Sequence, residues 1–313
     1  MAPGRAEWRD ESVAAPAEGE VHVRALFSAI SRGTESLVFN GRIPASEYGR
    51  MRAPFQAGQF PFPVKYGYAA VGQVESGPAD IVGKPVFALF PHQTAYTLPR
   101  AAVTVLPEGL PPARAVLAAN METALNGVWD SGAAPASKIA VVGAGVLGAL
   151  IAYLVGEMPG TEVTLVDIQP ARSRIAAALG IAFSTPDRAP EDCDLVFHAS
   201  GSAAGLNTAL AAAGNEASVM EMSWYGNAQV PVALGGGFHS RRLRLISSQV
   251  GQVANSQRSR WSYARRLSAA LALLQDPRLD VLLEPACPFL ELPARLPTIL
   301  GPGSSTLCQV VAY

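Results

Sequence analysis

An apolar segment, Lys138-Ile139-Ala140-Val141-Val142, runs straight into Gly143-Ala144-Gly145-Val146-Leu147-Gly148. A small apolar run follows, Ala149 to Leu154. A second apolar segment, Val163-Thr164-Leu165-Val166, then ends on Asp167, nineteen residues after Gly148. Strand, G-x-G-x-x-G, helix, strand and acid together form a dinucleotide fingerprint; a stray glycine triplet would not. Each glycine has a separate task. Gly143 permits the tight turn, Gly145 lets backbone approach a pyrophosphate, and Gly148 lets the helix pack close to the sheet. The free N–H groups of Val146 and Leu147 at the helix start, with the helix dipole, favour phosphate charge. Asp167 is placed to accept hydrogen bonds from ribose hydroxyls. It would repel a 2′-phosphate, so NAD is expected over NADP. Arg172 and Arg174 are near enough in sequence to temper that preference.

Ile139 to Gly156 carries no charged side chain and by length alone could span a membrane. The three glycines and the strand–turn–helix pattern argue instead for a sheet core. The chain has 313 residues, 49% hydrophobic and 16% charged, enough for two domains with substantial cores. A formal net charge of −1 gives no electrostatic case for nucleic acid or for an anionic membrane. Cys193, Cys287 and Cys308 are far apart and form no zinc spacing; their odd number fits a reducing compartment without disulfides. The first residues contain no apolar signal region, so a cytoplasmic protein is expected.

Val21 to Phe27, Gly67 to Val74 and Pro85 to Leu89 read as strands of a β-rich first domain. Between them, Arg42 to Tyr66 is rich in Pro, Gly and aromatics, and a loop that long is usually functional. Ala113 to Ser131 reads as a helix. From Lys138 strands and helices alternate: Pro170 to Leu179 as a helix stopped by Gly180, then strands at Asp194–Gly201, Ala217–Trp224 and Leu243–Ser248. That rhythm predicts an α/β fold with a doubly wound parallel sheet. Arg258 to Leu274 reads as an amphipathic helix and Ser305 to Ala312 as a final strand. The expected organisation is a nucleotide domain at 115–252, with 1–114 and 253–313 forming the other domain.

Three further segments carry a resemblance: Gly33-Thr34-Glu35 with Gly41, Tyr66-Gly67-Tyr68-Ala69-Ala70-Val71-Gly72, and Val166-Asp167 through Pro170, Arg172 and Leu179-Gly180. With the fingerprint, they make the chain similar to the medium-chain dehydrogenase/reductase superfamily of alcohol dehydrogenases and quinone reductases. The resemblance implies a Rossmann domain, a β-rich GroES-like catalytic domain, and a homodimer joined through the strand near Leu243–Ser248. Zinc-dependent members place a cysteine where this chain has Arg32, and a histidine and a glutamate where it has Tyr68 and Ala69. Their third ligand falls near Ala119 or Asn120, and their four-cysteine lobe is absent. None of His22, His92, His198 and His239 forms a replacement cluster. Zinc requires thiolate, imidazole or carboxylate ligands, so neither catalytic nor structural zinc is expected. Ser31-Arg32-Gly33-Thr34-Glu35 and the Gly67-Tyr68 entry most resemble the bacteriochlorophyllide dehydrogenase branch, which implies a zinc-free alcohol/ketone chemistry.

Without zinc, a developing alkoxide needs donors or a cation. Arg32 offers a cation at the vacated ligand place, and an ion pair with Glu35 would serve it equally. Thr34 falls where the family has its proton-relay hydroxyl; a helix cap is the competing role. Tyr68 is a candidate proton donor or a packing aromatic. Lys65 beside it would lower the phenol's pKa if buried, whereas an exposed lysine would not. Glu122 is either a cleft acid or a helix-surface carboxylate. Ser200-Gly201 ends a sheet strand where a cofactor passes, through backbone contacts. His198 is read as packed against the sheet, and Trp224-Tyr225-Gly226 as a place for stacking on nicotinamide or for core packing. The aromatic loop Tyr48 to Tyr68 is the expected wall for a small-molecule substrate.

The sequence thus predicts a zinc-independent, NAD(H)-dependent alcohol/ketone oxidoreductase with a fairly bulky organic substrate. Two alternatives remain: an NADPH-dependent quinone or enone reductase, and a non-catalytic nucleotide-binding relative.

Overall fold

The structure is a computed structural model that describes residues 3–313. The chain divides into two compact units. Unit 1 comprises 1–119, 267–277 and 283–313; unit 2 comprises 120–266 and 278–282. The first crossover lies five residues beyond the boundary read from sequence (119 against 114), and the return lies fourteen beyond (266 against 252).

Unit 1 is built on a long strand, β1 (Glu20–Ile30), whose alternate residues Val21, Val23 and Ala25 are buried. A two-stranded ribbon follows, β2 (Ala57–Gly58) with β3 (Val64–Lys65). Next come β4 (Ala70–Ser76), β5 (Pro85–Ala88), β6 (Ala95–Pro99) and β7 (Val103–Val105). β1 pairs antiparallel with β4 and with β6. Bulges at His22/Val23 and Ala25/Phe27 interrupt its register with β4, bending the strand as bulges do. Val74, Ile81, Val86, Tyr96 and Leu98 fill the core that results. The ribbon and a single turn at Ala45–Glu47 lie inside the segment read as one long loop, Arg42–Tyr66.

Unit 2 holds β8 (Lys138–Val142), β9 (Glu162–Val166), β10 (Ala182–Ser184), β11 (Cys193–His198), β12 (Ala213–Glu221) and β13 (Arg244–Ser247). Their order is β10-β9-β8-β11-β12-β13, every pair parallel. The chain winds outward from β8 in one direction, then restarts at β11 in the other. The switch point therefore lies between β8 and β11. β8 and β11 are apolar almost throughout because both sheet faces are covered. The helix Val146–Gly156 is buried nearly all round, which accounts for the uncharged run. No described helix is long and apolar enough to cross a membrane.

The C-terminal segment returns to unit 1 as β14 (Leu283–Pro288) and β15 (Cys308–Ala312), with β15 antiparallel to β1. The sequence places a helix over Arg258–Leu274, but it forms only over Tyr263–Leu273. Arg258 to Trp261 turn back on Ala254 and Gln257 instead. Ser262 then caps the helix, its hydroxyl accepting from Arg265 N at 3.2 Å. All three cysteines are buried and free.

Candidate functional site

The first set of functional groups lies at the C-terminal ends of the unit 2 strands. Gly143 leaves β8 at φ 112°, a conformation that suits glycine. A Cβ there would sit 2.6 Å from Ser200 N, so the turn lies directly on the end of β11. A Cβ on Gly148 would sit 1.8 Å from Gly143 O, which fixes how closely the helix meets the turn. Gly145 is different. Nothing lies within 4 Å of its Cβ position. It caps the helix Val146–Gly156, whose first N–H groups, on Val146 and Leu147, have no partner within the helix. An open, donor-lined turn of this kind fits a dinucleotide pyrophosphate.

Asp167 is held more firmly than the sequence suggests. One carboxylate oxygen accepts from Ala144 N at 2.7 Å, the other from Gln169 N at 2.8 Å. It therefore braces the glycine turn itself, and each oxygen keeps a further lone pair for a ribose hydroxyl. Arg172 is buried, 6% exposed, while Arg174 is exposed. Next to Asp167 stands Ile168, 77% exposed. Its apolar surface beside Asp167 was not singled out from the sequence, although its place after the acid would have marked it.

At the end of β11 the structure departs from the sequence reading. His198 is fully buried but not merely packed. Its Nδ1 meets both carboxylate oxygens of Glu221 at 2.8 and 2.9 Å, and its Nε2 meets Ser200 Oγ at 2.6 Å. Tyr225 donates its hydroxyl to Glu221 at 3.0 Å, and Ser223 N donates at 2.8 Å. Burial raises the pKa of the Glu221 carboxyl, but the bonds from His198, Ser223 and Tyr225 outweigh it and hold the net value below the ordinary range. Gly201 N donates to Ser223 Oγ at 3.1 Å. Glu122, weighed as a cleft acid or a surface carboxylate, is neither. It is buried and ion-paired with Arg266 at 3.0 Å.

The second set lies in unit 1, around the helix Arg32–Phe39. Thr34 lies inside that helix, so it is not its cap. The Tyr68 phenol is hydrogen-bonded by the side chains of Ser31 and Thr34. Burial pushes the phenol up to about 12, the Glu35 carboxylate adds to the rise, and the two hydroxyls partly oppose it. The phenol is raised, not lowered, and the Lys65 side chain is bonded elsewhere. Its ammonium pairs with Glu11 at 2.6 Å and with Gln93 at 2.8 Å.

Glu35 has two partners in unit 1 besides any contact with Arg32. One oxygen accepts from Ser31 N at 2.8 Å, closing the helix start, and the other meets His92 Nε2 at 3.1 Å. A buried chain continues from His92 Nδ1 to Ser28 Oγ at 2.8 Å and on to the Tyr313 hydroxyl at 2.9 Å. Arg32 donates to Ser304 O at 2.9 Å. The aromatic loop packs on itself, with ring centroids 5.7 Å apart for Tyr48–Phe60 and 5.9 Å for Phe60–Tyr66. His92, Ser28 and Tyr313 escaped the sequence reading because they lie on three separate strands or loops, with no shared motif.

Among the described residues, no three His, Cys, Asp or Glu side chains converge as metal ligands. His92 and Glu35 are bonded to each other, and His92 spends its second nitrogen on Ser28. The places at Arg32, Tyr68, Ala69, Ala119 and Asn120 offer no thiolate, imidazole or carboxylate. This donor set does not suit zinc.

No family model matches the chain. Solved structures do. Galactitol-1-phosphate dehydrogenase from Escherichia coli superposes with a TM-score of 0.77 at 14% identity, covering 99% of this chain and 98% of that one. A short chain alcohol dehydrogenase, so named, from Escherichia coli CFT073 complexed with NADH gives 0.76 at 15% identity, covering 100% and 97%. An alcohol dehydrogenase from Thermus sp. ATN1 gives 0.72 at 19% identity, covering 97% and 95%. The chain has the fold of the medium-chain alcohol dehydrogenases. In that fold the six-stranded sheet of unit 2 is the Rossmann part and the β-rich unit 1 the GroES-like part.

Proposed function

We propose that this protein is a zinc-independent, NAD(H)-dependent oxidoreductase. It interconverts a secondary alcohol and a ketone on a fairly bulky organic substrate, in the cytoplasm. The observation that carries the reading is the cradle formed by Gly143, Gly145, Gly148 and Asp167. Its shape admits a pyrophosphate and its acid disfavours a 2′-phosphate. Proteins of the same fold bind NADH in one case and NADP in another, which supports a nicotinamide cofactor; the choice of NADH is proposed on Asp167 alone.

Bound nicotinamide supplies the hydride. The chain itself must supply and accept one proton at the substrate oxygen. Tyr68 is the proposed acid. With its pKa raised to about 12, it is fully protonated at neutral pH and acts as a donor to a forming alkoxide. Thr34 and Ser31 hold the phenol oxygen in place. Arg32 adds positive charge on the same helix, fixed by the Ser304 carbonyl. The aromatics of the Tyr48–Tyr68 loop are the proposed substrate wall. No step runs through a metal.

The test is NADH oxidation against a panel of aryl and polycyclic ketones. Turnover with NADH in preference to NADPH, unchanged by a chelator, is expected. Tyr68→Phe should lower kcat by about 100-fold or more with NADH affinity retained. Loss of activity to a chelator and its return with zinc would overturn the metal-free reading. NADH binding with no turnover on any carbonyl would favour a non-catalytic role. Because Tyr68 stays protonated up to about pH 12, the reductive rate should show no loss from this group through pH 10.

We also propose a homodimer paired through β13. That strand is the open edge of the unit 2 sheet, and all four of its residues are exposed, Leu245 and Ile246 among them at 38% and 39%. An unprotected apolar edge favours pairing with a second copy. Light scattering should give twice the chain mass, and Ile246→Pro should give the monomer. A monomeric unaltered protein rules the dimer out.

A further inference from the structure

Unit 1 holds a pocket of about 140 Å³ whose lining belongs wholly to that unit. We infer that it is a binding site for a neutral, single-ring molecule bearing one hydroxyl group. The inference goes beyond the oxidoreductase reading and does not rest on it, since the coenzyme cradle belongs to unit 2.

The walls set the size and the polarity of the occupant. Val38 and Phe39 come from the helix Arg32–Phe39, Leu296 and Leu300 from the helix Leu292–Leu300, and Phe62 and Val64 from the aromatic loop. A cavity walled by such side chains gives water too few hydrogen-bond partners. An engineered apolar cavity of about 150 Å³ stays dry and takes up benzene. The unit 1 pocket is of that size, so one six-membered ring fills it. The N-terminal arm completes the lining with Arg5, Ala6 and Glu7. Arg5 and Glu7 are exposed and of opposite charge, so they give the pocket no preference for a charged ring.

The polar part of the lining supplies the functional group. Tyr66, Glu35 and His92 line the same pocket. Among the described residues the Tyr66 hydroxyl has no hydrogen-bond partner. Burial raises its pKa, and the Tyr68 phenol and the Glu35 carboxylate add to the rise, so the hydroxyl keeps its proton and is a donor. Glu35 has one bond on each oxygen, to Ser31 N and to His92, fewer than a carboxylate can accept. His92 spends both ring nitrogens, on Glu35 and on Ser28. The pocket therefore offers one free donor and one free acceptor. A hydroxyl group answers both. A carboxylate would face Glu35, and an ammonium could not accept from Tyr66.

The arm supplies a way in. Residues 5–17 carry neither helix nor strand. Gly4 N donates to Phe39 O at 2.8 Å on one side of Arg5–Glu7. On the other side the Trp8 indole donates to Leu290 O at 3.1 Å, and its ring lies 3.9 Å from that of Phe289. Farther along, Thr97 Oγ1 donates to Ala14 O at 2.7 Å. A segment tied at separate points and outside any sheet opens at low cost and leaves the core untouched. A mere packing gap in unit 1 would need no unspent phenol at its lining.

The experiment is calorimetric titration of the whole chain, without coenzyme, with phenol and with toluene, which has the same shape but no hydroxyl. Phenol should bind one to a chain, and toluene about three- to tenfold more weakly. Tyr66→Phe should remove most of that difference. Leu296→Trp fills the pocket from the helix and Ala6→Trp fills it from the arm. Each should abolish binding of both probes, and if one variant does not fold the other carries the test. Absence of phenol binding to the unaltered protein overturns the inference. Phenol binding that survives in a folded filled variant overturns it as well, since the probe then lies elsewhere. Equal affinity for phenol and toluene overturns the assignment of a hydroxyl ligand. None of these results touches the coenzyme reading, which NADH titration tests separately.

Discussion

Gly145→Val is expected to leave the fold intact and remove NADH binding. Gly145 has φ −76° and ψ −178°, which any L-residue adopts. Its Cβ position is clear to 4 Å, so the new side chain meets no protein atom nearby. The same side chain stands where the pyrophosphate must approach the helix N–H groups. Each charged hydrogen bond lost costs about 1.5–3 kcal/mol, so two lost bonds weaken binding about 100-fold or more. Gly148→Ala is the contrast. Its Cβ would sit 1.8 Å from Gly143 O, so helix and turn must separate, at about 1–3 kcal/mol of stability. Fluorescence titration with NADH and thermal melts of the two variants separate the effects. Wild-type NADH affinity in Gly145→Val would remove the cradle from the binding site.

The Gly143–Gly148 turn was legible because its meaning is local: a strand, three glycines and an acid within a few dozen residues. The alternation that gives unit 2 its parallel sheet is likewise a matter of neighbouring segments. What stayed hidden depends on partners far along the chain. The sequence marks Asp167 as a candidate ribose acid, but not that it accepts from Ala144. His198 looks like any apolar-strand histidine until Glu221, 23 residues on, is folded beside it. Glu35 and His92 are 57 residues apart, and nothing in either neighbourhood announces the other. The departures from the zinc pattern at Arg32 and Tyr68 were readable. That the Tyr68 phenol is held by Ser31 and Thr34 was not. Periodicity extended the helix before Tyr263 too far because it cannot weigh Ser262 as a cap against continued winding.

Arg266→Leu is expected to cost about 3–5 kcal/mol, the largest single stability effect in unit 2. Arg266 is 2% exposed. It donates to Glu122 at 3.0 Å, to Asn126 at 2.6 Å and to Val250 O at 2.6 Å. It thereby ties the helix Ala118–Ser131 to the chain that follows β13. Asn126 also bonds Asp130, which accepts from Ser248, so the network extends beyond one pair. Glu122 already has its pKa raised by burial, with Arg266 opposing the rise. Removing Arg266 leaves that carboxyl buried without compensation, and its pKa climbs further. A carboxyl raised in the folded state binds more protons there than in the unfolded chain. Its favourable contribution is present below the unfolded pKa and is lost as pH rises through the folded one. The Arg266→Leu deficit should therefore be greatest at neutral pH and shrink towards pH 4. Leucine at both positions removes the stranded charge, so the double variant should be less damaged than the sum of the single ones. Urea unfolding followed by tryptophan fluorescence reads this directly, since Trp129 and Trp261 lie 4.7 Å apart in the same unit. A single-variant cost below about 1 kcal/mol, the range of an exposed pair, would show that Arg266 is not the tie. A strictly additive double variant would show that Glu122 is not its essential partner.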